Sequence, residues 1–177
     1  MLGGIWQLVI IMGLHFAVFP IVMGNLSTLG FDSTLASTFG CNFATIGAVL
    51  ATRVRSKDES VKFNCIPSVI PAAVGVIEPA LYGVTLRRRP TFVITCIVSG
   101  ITGLGMSLTG ARAYRYAGFG VFGYASYANP NGDPTGLYWA IFWSVVAIVL
   151  SFVLTFLSYT KKPSFGKKAK EEAATAA

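Results

Sequence analysis

The chain alternates between long apolar stretches and short polar or basic segments along most of its length. The apolar stretches cover residues 5–23, 35–54, 63–86, 91–110 and 137–158, which we call segments A to E. Segment E is the least interrupted, whereas segment B is weakly apolar and rich in small residues. Because a helix needs ~20 apolar residues to cross a bilayer, this pattern predicts an all-α integral membrane protein.

The composition agrees with this class. Of the 177 residues, 54% are hydrophobic and 12% are charged, against about 25% charged residues in a soluble domain. The net charge of +7 comes from basic residues that flank the apolar segments, so we interpret it as a topology signal and not as a nucleic-acid site. The three cysteines are widely spaced, and no CxxC pair or Cys/His cluster predicts a metal site or a cofactor.

The basic residues also predict which side of the membrane each connection faces. Residues 24–34 contain no Lys or Arg, whereas residues 53–62 and the stretch after segment E are basic. Because cytoplasmic loops carry the excess of Lys and Arg, we expect 24–34 outside and both termini in the cytoplasm. Segment C is basic at both ends, where 53–62 precedes it and Arg87, Arg88 and Arg89 close it. We therefore predict about four transmembrane helices, with segment C as a re-entrant helical hairpin.

One carboxylate, Glu78, lies inside segment C. It follows Pro67 and Pro71, it directly precedes Pro79, and residues 63–77 carry no charge. A charged side chain at membrane depth costs ~2.5–3.5 kcal/mol on insertion scales and normally faces a cavity or a partner. Broken helices in transporters also present free backbone amides and carbonyls to polar substrates near the membrane midplane. We predict that Glu78 binds a ligand; the alternative is a structural acid, neutralised by protonation or by an arginine.

Several other residues give weaker signals. His15, the only histidine, is either structural or part of the same cavity as Glu78 if segment A packs against the hairpin. The glycine-rich and aromatic loop 113–136 favours an aromatic belt at the membrane surface over a ligand stack. Arg112 and Arg115 fall on the outer side, against the charge rule. The polar residues after segment A favour helix caps: Asn25, Ser27, Thr28 and Asp32.

Three stretches resemble one family of membrane proteins. GVIEPALYGV (75–84) resembles the G-I-T-E-P-A-I-Y-G signature in the membrane-embedded C domain (EIIC) of sugar phosphotransferase-system permeases, in the glucose superfamily and in particular its β-glucoside branch. GLHFAVFPIVMGNLSTLGFD (13–32) resembles the H-W-G-x-x-P-I…N-N-L-x-x-L-G-Y-D stretch of that branch, and TLRRRPTFVITCIVSGITG (85–103) resembles the segment after the signature. The resemblance implies that residues 1–160 form the C-terminal, substrate-binding half of such a domain, followed by a basic, Ala-rich cytoplasmic tail (161–177).

The resemblance also implies a function, which is sugar uptake coupled to phosphorylation. Glu78 would accept hydrogen bonds from sugar hydroxyls, and His15 would lie near the reacting hydroxyl as the catalytic residue. Gly75, Pro79 and Asn25 complete the expected substrate-binding set. The implied partners are the sugar, a phosphorylated B domain (EIIB), the N-terminal half of EIIC, a second copy in a homodimer, and the bilayer of the bacterial cell membrane.

The sequence departs from the family at several positions. Ile77 stands where the family usually has Thr or Ser, Phe16 stands where tryptophan is common, and residues 38–51 lack the usual Gln-Ala-Gly-Ala pattern. No phosphocysteine motif is present, so phosphotransferase activity is expected only together with B and A domains. Two other functions stay open, namely an ion- or proton-coupled transporter with Glu78 as its protonation site, and a non-transporting remnant of a permease.

Overall fold

The computed structural model describes residues 2–129 and 132–159, so the predicted tail at 161–177 lies outside it. The described residues form helices and loops, with one isolated extended pairing between Asp32 and Ala113. This confirms the predicted all-α class. A π-helical turn (Leu81–Thr85) and a 3-10 helix (Phe122–Tyr127) accompany the α-helices. The α-helices in the described part are α1 (Leu2–Ile11), α2 (His15–Leu29), α3 (Thr34–Arg55), α4 (Glu59–Val74), α5 (Glu78–Ala80), α6 (Arg89–Leu108) and α7 (Thr135–Ser158).

Segment A forms two helices, so the expectation of one continuous helix over 5–23 was wrong. The chain breaks between α1 and α2 at Gly13, which has φ +71. Pro20 lies inside α2 without ending it, and α2 continues through Leu29 before Gly30 ends it with φ +74. Hydropathy gave no signal for a break at a glycine inside an apolar run. Among the described helices, α3, α6 and α7 are long and apolar enough to cross a membrane.

Helix α3 lies at the centre of the bundle and packs against α1, α4, α6 and α7. Its most apolar stretch is 83% buried, against 44% for α6 and 28% for α7. Small residues make these approaches possible. A Cβ at Gly47 would meet the carbonyl oxygen of Ile148 in α7, and one at Gly40 would meet the side chain of Thr102 in α6. The small residues that made segment B weakly apolar therefore allow its neighbours to pack closely.

A buried glutamine ties α1 to the bundle. The side chain of Gln7 donates to Thr45 Oγ1 of α3 at 3.1 Å. It also accepts a hydrogen bond from Thr95 Oγ1 of α6 at 2.7 Å. Polar side chains commonly join helices in this way inside membranes. These bonds hold α1 in position, and the start of α2 with it.

Both ends of segment C lie at the end of the bundle where α3 and α7 finish. The Arg55 guanidinium lies 5.1 Å from the ring centre of Phe156, and the Arg88 guanidinium lies 3.9 Å from that of Tyr159. Asp58, which caps α4, accepts hydrogen bonds from Ser60, and these bonds, with a smaller effect of Arg88, lower the pKa of Asp58. A hairpin that enters and leaves on one side requires this arrangement of its ends.

Candidate functional site

Helix α4 stops at a sharp break just before Glu78. Gly75 follows the helix with φ +111, and the Val76 N–H donates to the Pro71 carbonyl at 2.9 Å. The left-handed residue is of the type that commonly ends helices, and glycine adopts it without strain. The chain then begins α5 at Glu78, with Pro79 in the first turn, where its missing N–H costs nothing. The break therefore presents the Glu78 side chain beside non-helical backbone.

The loop between α6 and α7 folds inward onto this break. The Val121 N–H donates to the Ala73 carbonyl at 2.8 Å. A Cβ at Gly75 would meet the backbone of Phe119 at 2.8 Å, and a Cβ at Gly120 would meet the Ala73 carbonyl oxygen. Two glycines thus let two segments, distant in sequence, touch backbone to backbone at the tip of segment C.

The aromatic residues of this loop divide between the fold and its surface: Tyr127 is fully buried, whereas Phe122 is 64% exposed. The aromatic belt therefore stays a prediction for the exposed ones. Tyr124 and Tyr127 pack edge to face on Phe39 of α3, with ring centres 5.3 and 5.0 Å away. Tyr116 and Phe119 line a cavity. Tyr116 meets the ring of Phe19 edge to face at 4.9 Å, and partial burial raises the pKa of the Tyr116 phenol.

This cavity has a volume of about 330 Å³ and lies between the break, the ends of α1 and α2, the first turns of α3 and the inward loop. Its size falls in the range of small-molecule sites, ~300–1,000 Å³. Apolar and aromatic side chains form most of the wall. The ionisable or polar side chains in it are those of His15, Thr34, Thr38, Asn42, Glu78 and Tyr116.

His15 and Glu78 face each other in the cavity. The Nε2 atom of His15 lies 3.9 Å from Oε1 of Glu78, and the side chains are 23% and 41% exposed. This separation is too long for a direct hydrogen bond, but an oxygen atom beside the pair could lie ~2.8 Å from both. The Nδ1 atom of His15 is buried and has no hydrogen-bond partner within residues 2–129 and 132–159. The geometry therefore leaves room for one polar atom to contact both side chains.

The structure brings three of the five predicted site residues to the cavity, which are Glu78, His15 and Gly75. Asn25 lies away from it and donates to Asp32 Oδ2 at 2.7 Å. Pro79 is also outside the lining, and its carbonyl accepts a hydrogen bond from Ser68 Oγ at 3.3 Å. The ligand-binding roles of all five residues stay predictions.

The predicted helix caps are confirmed only in part. Asp32 Oδ1 accepts from the Leu35 N–H at 2.6 Å and caps α3. Ser27 and Thr28 instead donate to the Gly24 carbonyl of their own helix. Arg112, for which the charge rule gave no explanation, lies 4.2 Å from the ring centre of Phe31.

Sequence reasoning missed the polar face of α3 and the loop residues that line the cavity. Thr34, Thr38 and Asn42 are spaced by four residues, so they share one helix face. Asn42 is the only amide side chain in segment B, and a polar group at membrane depth is the same kind of signal that identified Glu78. Tyr116 and Phe119 carried no such signal, because their position depends on the fold of the loop.

Comparison with known proteins places the chain among sugar transport systems. It is similar to the PTS system beta-glucoside-specific EIIBCA component of Halalkalibacterium halodurans, with 41% identity over 129 residues, 73% of this chain and 20% of that protein. The Bacillus subtilis beta-glucoside-specific EIIBCA component is 32% identical over 118 residues, 67% of this chain and 19% of that protein. The Escherichia coli PTS system arbutin-, cellobiose-, and salicin-specific EIIBC component is 26% identical over 140 residues, 78% of this chain and 29% of that protein.

The chain spans about a fifth of the length of the first two relatives, at 20% and 19%. No family model and no solved structure matches it. The fold and its potential spans define a helical membrane protein with an acid and an imidazole in a cavity. More narrowly, the chain belongs to the phosphotransferase-system permeases, in the EIIC family of the glucose superfamily. This confirms the resemblance carried by the Glu-Pro-Ala-x-Tyr-Gly motif.

Proposed function

We propose that this chain is the sugar-binding part of a phosphotransferase-system permease that takes up β-glucosides and phosphorylates them. The observation that carries the proposal is the pair of His15 and Glu78, which face each other 3.9 Å apart in one cavity although they are distant in the sequence. The names of the relatives support a β-glucoside as the substrate.

Each wall of the cavity suits one part of such a substrate. The Glu78 carboxylate accepts hydrogen bonds from sugar hydroxyls, and bonds to a charged acceptor are about twice as strong as neutral ones. The rings of Phe19 and Tyr116 offer an apolar surface to the face of the pyranose or to an aromatic aglycone. A related protein is specific for arbutin, cellobiose and salicin, which agrees with an aromatic wall.

His15 is the proposed catalytic residue. In the transfer step the sugar hydroxyl oxygen forms a bond to phosphorus while the bond from phosphorus to the donor's cysteine sulfur breaks. The hydroxyl proton needs an acceptor, and an imidazole within hydrogen-bond reach of the hydroxyl is a suitable general base. Glu78 holds the sugar in the orientation that brings this hydroxyl to His15.

The phosphoryl donor comes from another domain. Cys41 and Cys65 are buried and Cys96 is only partly exposed, and a buried thiol is a poor nucleophile because burial disfavours the thiolate. A phosphorylated EIIB domain is therefore the proposed partner, in agreement with the EIIBCA names of the relatives. An N-terminal EIIC half and a second copy of the chain are further proposed partners. Purified alone, the chain is expected to form no sugar phosphate from phosphorylated carrier proteins.

The proposed location is the bacterial plasma membrane, with segment C (63–86) as a re-entrant hairpin open to the cytoplasm and both termini cytoplasmic. The cluster of Arg55, Arg88 and Asp58 at one end of the bundle supports this topology. In a background without native cysteines, Lys57→Cys and Arg89→Cys are expected to react with an impermeant thiol reagent from the cytoplasmic face. Ser33→Cys should react from the opposite face. Labelling of the first two from opposite faces would show that segment C crosses the membrane.

Substitution of Glu78 tests the proposed function. Glu78→Gln keeps the shape of the side chain and removes its charge. Hydrogen bonds to charged groups contribute ~1.5–3 kcal/mol against ~0.5–1.5 kcal/mol for neutral ones. Two weakened bonds should cost about 2–3 kcal/mol of sugar affinity, or roughly thirty- to a hundred-and-fifty-fold in Kd. The measurement is equilibrium binding of salicin to the purified, reconstituted chain.

His15→Ala provides the matched comparison. This variant should retain much of the sugar binding and lose phosphoryl transfer when the missing EIIC half and a phosphorylated EIIB domain are supplied. Parental salicin affinity in a folded Glu78→Gln variant would refute the role of Glu78 and favour a structural acid. A pH-dependent current without a phosphoryl donor would favour the proton-coupled alternative, and silence in all these assays would favour a non-transporting remnant.

A further inference from the structure

The polar face of α3 contributes one side chain that the proposed site has not yet used. Thr34, Thr38 and Asn42 line the same cavity as Glu78 and His15. The Thr38 hydroxyl lies 3.3 Å from the Thr34 carbonyl and 3.2 Å from the Leu35 carbonyl, so its proton is directed into its own helix. Asn42 is different, because its amide nitrogen, Nδ2, has no hydrogen-bond partner among the described residues.

The Asn42 side chain is buried and unsatisfied. The residue is only 4% exposed, and its Nδ2 atom has no hydrogen-bond partner among the residues that the structure describes. Buried donors are nearly always satisfied in folded proteins, so each exception needs an explanation. At membrane depth little water is at hand to supply the missing acceptor. The cavity that Asn42 lines is the place from which an acceptor can come.

The donors and acceptors in the cavity identify the chemistry of that ligand. Asn42 Nδ2 requires an oxygen acceptor, whereas the Glu78 carboxylate requires hydrogen-bond donors. A ligand that satisfies both must carry groups that donate and accept, and a sugar hydroxyl does both. We infer that Asn42 is a further substrate-binding residue whose Nδ2 atom donates a hydrogen bond to one hydroxyl oxygen of the bound sugar. This inference rests on the proposed function and assigns a second polar contact to the sugar.

The inference predicts a coupling between one protein group and one sugar group. Asn42→Leu removes the donor at similar volume and should weaken binding of methyl β-glucopyranoside by about three- to tenfold, the effect of one neutral hydrogen bond. The parent protein should bind one of the 2-, 3-, 4- and 6-deoxy analogues more weakly than the full sugar, by a similar factor in Kd. The Asn42→Leu variant should bind that analogue as well as it binds the parent sugar, because the contact is already absent.

The experiment measures Kd for this sugar series on the purified, reconstituted chain by tryptophan fluorescence, since Trp6 also lines the cavity. Asn64→Leu is the matched control, because Asn64 lies on α4 outside the cavity lining. This control should bind every sugar like the parent. Asn42→Ala also removes the donor and adds no acceptor for the sugar hydroxyl, so it should give the same coupling if the leucine variant does not fold.

The outcomes separate this inference from the proposed function. Parental affinities in a folded Asn42 variant would overturn the inference alone. So would an equal loss of affinity for every sugar in the series, because that result indicates a packing role for Asn42. If the parent chain binds no sugar of the series, the proposed function fails and the inference fails with it.

Discussion

Helices α3 and α7 are both long enough to cross a membrane, yet they differ in almost every other respect. They have 22 and 24 residues, but their hydropathies are 1.4 and 2.6. Only 28% of the most apolar stretch of α7 is buried inside the fold, against 83% of the corresponding stretch of α3. Exposed positions of α7 carry large apolar side chains such as Phe142, Val145 and Val149. The buried residues of α3 instead include glycines, threonines and Asn42 beside apolar side chains such as Phe39 and Val49.

The difference has a physical reason. A helix that faces lipid needs an apolar side chain at each exposed position, because hydrocarbon satisfies no polar group. A helix surrounded by protein can carry polar side chains whose partners lie on a neighbouring helix or on its own backbone. Thr45 accepts from Gln7 and donates to the Cys41 carbonyl, and Thr52 donates to the Ala48 carbonyl. High hydropathy therefore marks the helix that faces outward, and the weakly apolar helix forms the centre and lines the cavity.

The largest effect is expected where the two helices touch. Gly47→Leu would place a side chain against the Ile148 backbone of α7, which cannot move as a side chain does. Overpacking usually costs ~1–3 kcal/mol, and here two backbones must separate, so we expect the upper end of that range or loss of the fold. Val149→Leu changes a position of α7 that is 55% exposed and should stay within about 0.5 kcal/mol. Unfolding in micelles, followed by circular dichroism, measures both variants. Equal effects would mean that burial does not distinguish α3 from α7.

The sequence predicted the helices that consist of one uninterrupted apolar run. Segments B, D and E correspond closely to Thr34–Arg55, Arg89–Leu108 and Thr135–Ser158. Segment A could not be predicted in the same way. Its break depends on Gly13 adopting a positive φ, and α2 extends through polar residues whose hydroxyls bond within the helix. Apolar length predicts where a helix fits a membrane and does not predict where a helix is interrupted.

The candidate site was predictable to the extent that single residues carried a signal. Glu78 was conspicuous as an acid in an apolar run, and the family resemblance added His15. Asn42 carried a similar signal that was not used. Tyr116 and Phe119 could not be predicted from the sequence. They line the cavity because the loop at Gly120 contacts the carboxyl end of α4, which is far away in the sequence.

A second, smaller effect on stability is expected at the tip of segment C, where two backbones also touch at a glycine. Gly75→Ala would force a residue with a side chain to φ +111 and would push against the Phe119 backbone. Such strain costs ~1–3 kcal/mol, and the displaced loop should also weaken salicin binding because Phe119 lines the cavity. Gly83→Ala is the matched control in the same segment, since its Cβ would lie 3.5 Å from Ser68 Oγ, an ordinary contact. Unfolding and binding measurements should separate the two variants, and parental behaviour of Gly75→Ala would contradict the close approach.

The smallest effect on stability is expected at Asp58. This residue lies at the exposed end of the bundle, where a substitution leaves no cavity and no buried polar group. Hydrogen bonds from Ser60 lower the pKa of Asp58 in the folded state, whereas the unfolded value is about 3.9. The resulting stabilisation is fully present above the unfolded pKa and is lost as the pH falls through the lower, folded pKa. Asp58→Ala should therefore lower Tm by no more than a few degrees at neutral pH, and its difference from the parent should shrink below about pH 4. Asp58→Asn retains a capping oxygen without a titrating group, so its Tm should lack the part of the parent's decline that Asp58 causes. A Tm difference between parent and Asp58→Ala that stays constant from neutral pH to below pH 3 would show that the ionised cap contributes nothing.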